Sequence, residues 1–360
     1  MGSMKRAFAS LALLAFLLPG GWAGGRAETP PAPVTAGAYR VIDALGRTHT
    51  FRKIPERIVL AGKAVVFTVN SVYLFPEARE RVVGIGSTDQ GLGDFYPLLD
   101  PRAGQKSRFD NSAGPEQLAG LKPDLVILKV FMKQSLGDAL ESIGIPVLYV
   151  DLESPAAFTA DIRMLGDLFQ DPARAAFVNR FFEARVEAVR RRTEGAERPT
   201  ALVLQHSERD GAAAFSVPPA AWIQTRMVEM AGGEPVWKSI GTGAGWNKVS
   251  FEQAAAWQPR HVLVISYQRP AAQVVASLQS SGNWKGHLAP VPADFYSWDQ
   301  PDTRWILGLQ WVARTLHPEL FADLDLRHEV SSFYGELYGL DKAVIESEIL
   351  PRLEQALAAR

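Results

Sequence analysis

Cysteine occurs nowhere in the 360 residues. Its absence excludes disulfides, thiolate catalysis, cysteine-held metals and a lipid carried on a cysteine behind a leader. Histidine is sparse as well: the six, at positions 49, 206, 261, 287, 317 and 328, are scattered without ligand spacing. A directly held zinc or manganese would need more than one of them near a ligand site, and only His206 is placed for that. The usual glycine and nucleophile signatures are also missing. Gly84-Ile-Gly86 lacks the third glycine of the dinucleotide fingerprint, and Gly241-Thr-Gly-Ala-Gly245 is not followed by Gly-Lys-Ser or Gly-Lys-Thr. Neither a Gly-x-Ser-x-Gly elbow nor a His-Glu-x-x-His pair is found. With no nucleophile-and-base arrangement to read, neither an enzyme nor a bound cofactor is expected.

What is present is a globular composition, 47% hydrophobic and 21% charged, in a chain long enough that two domains are expected. Residues 1–27 read differently. Lys5 and Arg6 precede an apolar run from Ala7 to Leu18, then come Pro19-Gly20-Gly21 and the small residues around Gly25 and Ala27. That is the layout of a secretory signal peptide, and the run is too short to be a permanent membrane anchor. Removing it takes away three basic residues and no acid, so the formal charge moves from -1 to about -4, which gives no general attraction for nucleic acid or anionic lipid. With no cysteine to carry a lipid, the mature chain is expected free in the periplasm.

Residues 28–37 form a Pro- and Thr-containing leader, and Tyr39 to Phe51 alternates about Leu45-Gly46-Arg47 as a hairpin does. Buried strands are then expected at 57–61, 82–85, 124–128 and 146–151, with helices at 65–75 and 134–143, the alternation of a parallel sheet covered by helices. Asp171-Pro172 caps a long helix over 173–194 that Arg190-Arg-Arg192 and Gly195 close, about 33 Å long at 1.5 Å per residue. Strands at 200–205, 262–266 and near 292–297 follow, with helices at 221–230, 271–278 and 304–316, and 326–358 reads as helical. The expected organisation is an N-terminal α/β lobe (38–152), linking helices (153–195), a C-terminal α/β lobe (196–325) and C-terminal helices (326–360). The fold class is α/β: two lobes, each a mainly parallel sheet flanked by helices, joined by one long spine helix.

A repeat supports that division. Pro115-Glu-Gln-Leu-Ala-Gly-Leu-Lys-Pro-Asp-Leu-Val-Ile-Leu128 and Phe251-Glu-Gln-Ala-Ala-Ala-Trp-Gln-Pro-Arg-His-Val-Leu-Val-Ile265 are each a short helix opened by Glu-Gln, stopped before proline and followed by a buried strand. Two such copies imply two lobes of similar build with a cleft between them. Every tryptophan beyond the leader lies in the second half. Trp257, Trp305 and Trp311 sit in helical patterns and read as core, whereas Trp222, Trp246 and Trp298 lie in loop-like contexts near strand ends, where ligands of parallel sheets bind. Candidate polar partners in matching loops are Lys63, Arg108, Asp110 and Asn111 in the first lobe and His206, Tyr267, Tyr296, Asp299 and Arg304 in the second. Taken alone, each of these reads more readily as a capping or solvated residue.

Arg57-Ile-Val-Leu, the phrase Glu116-Gln-Leu-Ala-Gly-Leu-Lys-Pro-Asp-Leu-Val-Ile, the single spine helix and Val249-Ser-Phe-Glu-Gln followed by Gln258-Pro resemble the periplasmic substrate-binding proteins that feed ABC importers of iron-siderophore, haem and cobalamin type. The resemblance runs over residues 38–358. It implies a monomer that captures a small-molecule metal chelate, such as a ferric siderophore, haem or cobalamin, between its lobes. It further implies delivery to an inner-membrane permease dimer with its ATPase, met through Glu116 and Glu252, and a small closure on ligand. Some branches of the family take the oxyanions molybdate and tungstate, so an oxyanion is the alternative ligand. A reading of another class, a periplasmic hydrolase with His206 and Asp299 as acid and base, stands far behind.

Overall fold

The segments Ile58–Leu60 (β3), Val82–Gly86 (β4), Leu125–Lys129 (β6) and Val147–Val150 (β7) are short aliphatic runs buried almost throughout. Chains of that kind lie inside a parallel sheet covered on both faces. The structure is a computed structural model that describes residues 37–354, apart from 89, 210, 211, 242, 244 and 283. The leader and signal segment expected over 1–36 lie outside the described residues. The chain opens with the expected hairpin, Tyr39–Ile42 (β1) against Thr48–Phe51 (β2), turning at Gly46, whose φ of 74° suits glycine.

The first lobe is a parallel sheet in the order β5-β4-β3-β6-β7, with β5 formed by Ser107–Phe109. The second is built on Thr200–Arg209 (β8), Ala212–Val217 (β9), Glu234–Pro235 (β10), Asn247–Val249 (β11), His261–Ile265 (β12) and His287–Pro290 (β13), in the order β11-β9-β8-β12-β13 with β10 beside β8. Here β8, β10, β12 and β13 run parallel, while β9 pairs antiparallel with both β8 and the edge strand β11. Two linking helices, Pro155–Phe169 and Pro172–Thr193, join the lobes. The second spans 22 residues, is capped by the Asp171 carboxylate accepting from the Arg174 N–H, and ends in Arg190, Arg191 and Arg192, where cations favour the helix dipole.

The Glu-Gln units occupy equivalent places. Pro115–Gly120 leads into β6, which lies between β3 and the edge strand β7, and Phe251–Ala256 leads into β12, which lies between β8 and the edge strand β13. Leu118 and Ala254 are buried one turn in, Glu116 and Glu252 are exposed in the first turn, and the residues before the two prolines, Lys122 and Gln258, both take a left-handed φ, 50° and 47°. The likeness therefore extends to the backbone that closes each helix.

Three expected elements come out differently. The helix over 134–143 is a wide π turn, Lys133–Gly137, followed by a short α segment, Asp138–Ser142. No strand forms at 292–297 beyond a single bridge from Ala293 to Ser297. The C-terminal stretch is a helix at Leu326–Ser332 that passes into a wide π turn, Phe333–Leu337, and breaks at Gly339, φ 66°, before short helical turns resume. This stretch packs on both lobes: Tyr338 accepts from Arg79 through its carbonyl and donates its hydroxyl to the Asn70 carbonyl (3.0 Å) in the first, and the Tyr334 hydroxyl donates to Asp294 in the second.

Candidate functional site

Polar side chains gather beyond the carboxyl ends of the neighbouring strands β6 and β7 in the first lobe and of β12 in the second. At the end of β6 the Lys129 side chain is wholly buried; its ammonium donates to the Asp151 carbonyl and pairs with Glu153 at 2.8 Å. Glu153 follows β7 and keeps 27% of its side chain exposed. Behind them Asp161 accepts from the N–H groups of Asp151 and Leu152 (2.8 and 2.9 Å), and burial pushes its carboxyl up to about 6. From the second lobe, Tyr267 follows β12 and donates its hydroxyl to Asp299 at 2.6 Å. The Gln224 amide (3.3 Å) and the Ser297 hydroxyl donate to the same carboxylate. Burial, then Asp299, hold the Tyr267 phenol well above its ordinary range.

Around Tyr267 three half-buried rings come together. Trp222 and Trp246 meet edge to face, centroids 5.7 Å apart, and Trp246 meets Tyr267 at 6.4 Å. Three aromatic residues that the sequence proposed are thus brought together, with Asp299 hydrogen-bonded to Tyr267. His206 is buried near the far end of β8 beside Phe215 (5.8 Å), its pKa lowered by burial and then by Arg269. A neutral imidazole follows at neutral pH.

Other proposed residues are spent elsewhere. Arg304 is wholly buried: its Nε donates to Asp294 at 2.7 Å and its Nη1 to Asp302 at 3.2 Å. Burial alone would weaken its charge, but Asp294 and other neighbours hold its pKa well above the ordinary value. Trp298 is buried with its indole N–H on Asp294 (3.1 Å), and Tyr296 is buried with the Arg304 guanidinium 5.0 Å over its ring. The reading of Trp298, Tyr296 and Arg304 as cleft contacts is therefore corrected: they form a buried tie. That tie spans the lobes, because Asn70 of the first donates to Asp302 at 2.7 Å. Beside it, the Leu92 N–H reaches the Phe295 carbonyl (2.7 Å), an approach open only to glycine at 91, where a Cβ would stand 2.5 Å from the Tyr296 ring.

Lys63 is exposed beyond β3. Arg108 is exposed but paired with Asp94 at 3.3 Å over the Tyr96 ring. Asp110 holds its own turn by accepting from the N–H and hydroxyl of Ser112, with Asn111 inside that turn. Lys129, Glu153 and Gln224 were not read as site residues. The one available signal was Lys129, a cation ending the apolar run Leu125 to Leu128, where a buried charge must find a partner.

Comparison with known proteins bears on this arrangement. A family model described as periplasmic binding protein matches residues 73–288. The molybdate-binding protein MolA of Haemophilus influenzae is 26% identical, over 84% of this chain and 91% of its own length. The vitamin B12-binding protein of Pectobacterium carotovorum is 24% identical, over 72% of this chain and 92% of its own. Among solved structures, that of Haemophilus influenzae MolA bound to molybdate superposes with a TM-score of 0.68 at 21% identity, covering 83% of this chain and 98% of the other.

Proposed function

The chain belongs to the periplasmic binding protein family of ABC importers, and on that premise we propose that its ligand is a metal chelate held between the lobes and handed to a permease unaltered. The observation that carries this is the aromatic surface of Trp222, Trp246 and Tyr267, gathered beyond the carboxyl end of β12. A corner of half-buried rings meeting edge to face matches a large organic ligand that brings apolar area of its own. Hand-over would use Glu116 and Glu252, two exposed carboxylates at equivalent places on the two lobes, suited to a two-fold partner bearing cations. A second reading, a molybdate or tungstate oxyanion, is favoured by the name of the relative that matches over 84% of the chain.

A thermal-shift panel of ferric siderophores, haem, cobalamin, molybdate and tungstate separates the two. A true ligand at 100 times its dissociation constant adds about 2.7 kcal/mol of stability and changes tryptophan emission. A panel in which every chelate leaves both unmoved while molybdate shifts them ends the chelate reading. In parallel, Glu116→Ala with Glu252→Ala should leave ligand affinity intact while uptake falls; lost affinity would remove the docking role.

A further inference from the structure

At the end of the second lobe's sheet that lies away from the aromatic corner, two histidines stand side by side. His261 opens β12 and His287 opens β13, and they are register partners on neighbouring parallel strands. Registered positions on adjacent strands project to the same face of a sheet, and here the two ring centroids are 5.7 Å apart. His261 keeps 9% of its surface exposed, and neither of its ring nitrogens has a hydrogen-bond partner. His287 is exposed. Histidines that look scattered along the chain thus include a pair that the fold brings together.

A neutral imidazole carries one N–H and one lone pair, and in a protein interior both are ordinarily used. His261 uses neither within the protein. Burial depresses its pKa to about 4, so its lone pair stays free for a Lewis acid at neutral pH. Two imidazoles on one ion, each with a metal–nitrogen distance of about 2.0–2.1 Å, place their ring centroids roughly 5 Å apart, a separation that small side-chain rotations reach from 5.7 Å. The adjacent cation, Arg260, is exposed and paired with Glu197 at 3.4 Å, which offsets its repulsion of an ion. Among the described residues no third histidine or carboxylate joins the pair in a metal-holding group, so the other positions around an ion are left to water.

We propose that His261 and His287 form a two-imidazole site for a divalent late transition ion, Cu2+ ahead of Ni2+ and Zn2+, at the amino end of the second sheet. Imidazole ligation suits these ions and not Ca2+ or Mg2+, and Cu2+ leads the order of affinities. With two protein ligands the site is open and exchangeable, unlike the closed four-ligand sites of structural zinc. Tyr267 lies beyond the opposite end of β12, past about 13 Å of strand at 3.3 Å per residue, so the ion binds apart from any occupant of the aromatic corner. It bridges β12 to the edge strand β13.

The test titrates the untagged chain, stripped with EDTA, with Cu2+, Ni2+, Zn2+ and Ca2+ by calorimetry, and counts the imidazoles on bound Cu2+ by pulsed EPR. Cu2+ is expected to bind tightest, Ca2+ not at all, and the bound Cu2+ to carry two imidazoles. His287→Asn, at an exposed position where folding is not at stake, and His261→Leu should each weaken Cu2+ binding at least about tenfold and leave one imidazole. His328→Asn, at an exposed histidine elsewhere, should change neither. Cu2+ should also raise the melting temperature of the parent and not that of the His287→Asn protein. Affinity unchanged in both variants of the pair, or fewer than two imidazoles in the parent, would mean an adventitious ion only and overturns the site. Absent Cu2+ binding, or Ca2+ binding as tight as Cu2+, overturns it as well.

Discussion

Arg304 shows how far a residue's type can mislead about its role. In the sequence it is a cation opening a helix after Asp302, a position suited to an anionic ligand. In the fold it is sealed between Asp294 and Asp302, with Phe95 4.6 Å from its guanidinium on the other side. Replacing one member of a buried ion cluster leaves the others unpaired, at a cost of about 3–5 kcal/mol. Arg304→Met is therefore expected to lower the denaturation free energy by about that amount, measured by urea unfolding, while the folded fraction still binds ligand. Near-parental stability with abolished binding would return Arg304 to the site. The same contrast explains what was legible. That Trp222, Trp246 and Tyr267 share one surface was foreseeable, because all three are large aromatics in loops near strand ends. Trp298 was indistinguishable from them, because the Asp294 that binds its N–H is separated from it by loop geometry that the residue order does not display. Glu153 and Gln224 carried no signal, since their meaning comes from partners in other segments.

At the scale of elements, local chemistry decided what could be foreseen. The spine helix was readable to within one residue at each end because its cap, first-turn proline and basic last turn agree. The Lys133–Gly137 π turn was hidden, because tertiary packing sets it: a Cβ on Gly137 would overlap the Tyr149 hydroxyl. Strand β9 was hidden too, its Ala-Ala-Ala opening being poor in the β-branched and aromatic residues that mark strands. The paired Glu-Gln helices allow a controlled comparison. Ser250 accepts from the Gln253 N–H at 3.1 Å, whereas Gly114, in nearly the same extended conformation, offers no side-chain cap. Ser250→Ala should cost about 1 kcal/mol and Gly114→Ser should add a few tenths, with hydrogen exchange slowing in the first turn after Gly114. A Gly114→Ser protein less stable than its parent would show that the two termini are not equivalent.

For the whole molecule, acidity tests the balance among buried groups. Asp161 titrates near 6 because burial outweighs its two N–H partners and Lys129. Its folded pKa thus lies above the ordinary 3.8, the native state binds the extra proton, and stability falls as pH rises from about 4 to about 6. Asp302, raised to about 6 mainly by burial, acts in the same sense. His261 opposes them. Burial, then the neighbouring His287 at 5.7 Å, depress it to about 4 from 6.5, and neither ring nitrogen has a hydrogen-bond partner. Its folded pKa lies below its unfolded one, so the unfolded chain binds the proton first and stability rises with pH from about 4 to about 6.5. Asp43 and Asp100, both held below their ordinary value by ion pairs and hydrogen bonds that outweigh burial, lose their contribution only under more acid conditions. The parental stability curve between pH 4.5 and 6.5 is therefore the difference of opposed slopes. Asp161→Asn should tilt it upward with pH, and His261→Leu should tilt it downward. Urea midpoints at intervals of half a pH unit would show this directly, and variant curves running parallel to the parent would mean that neither group titrates where its burial places it.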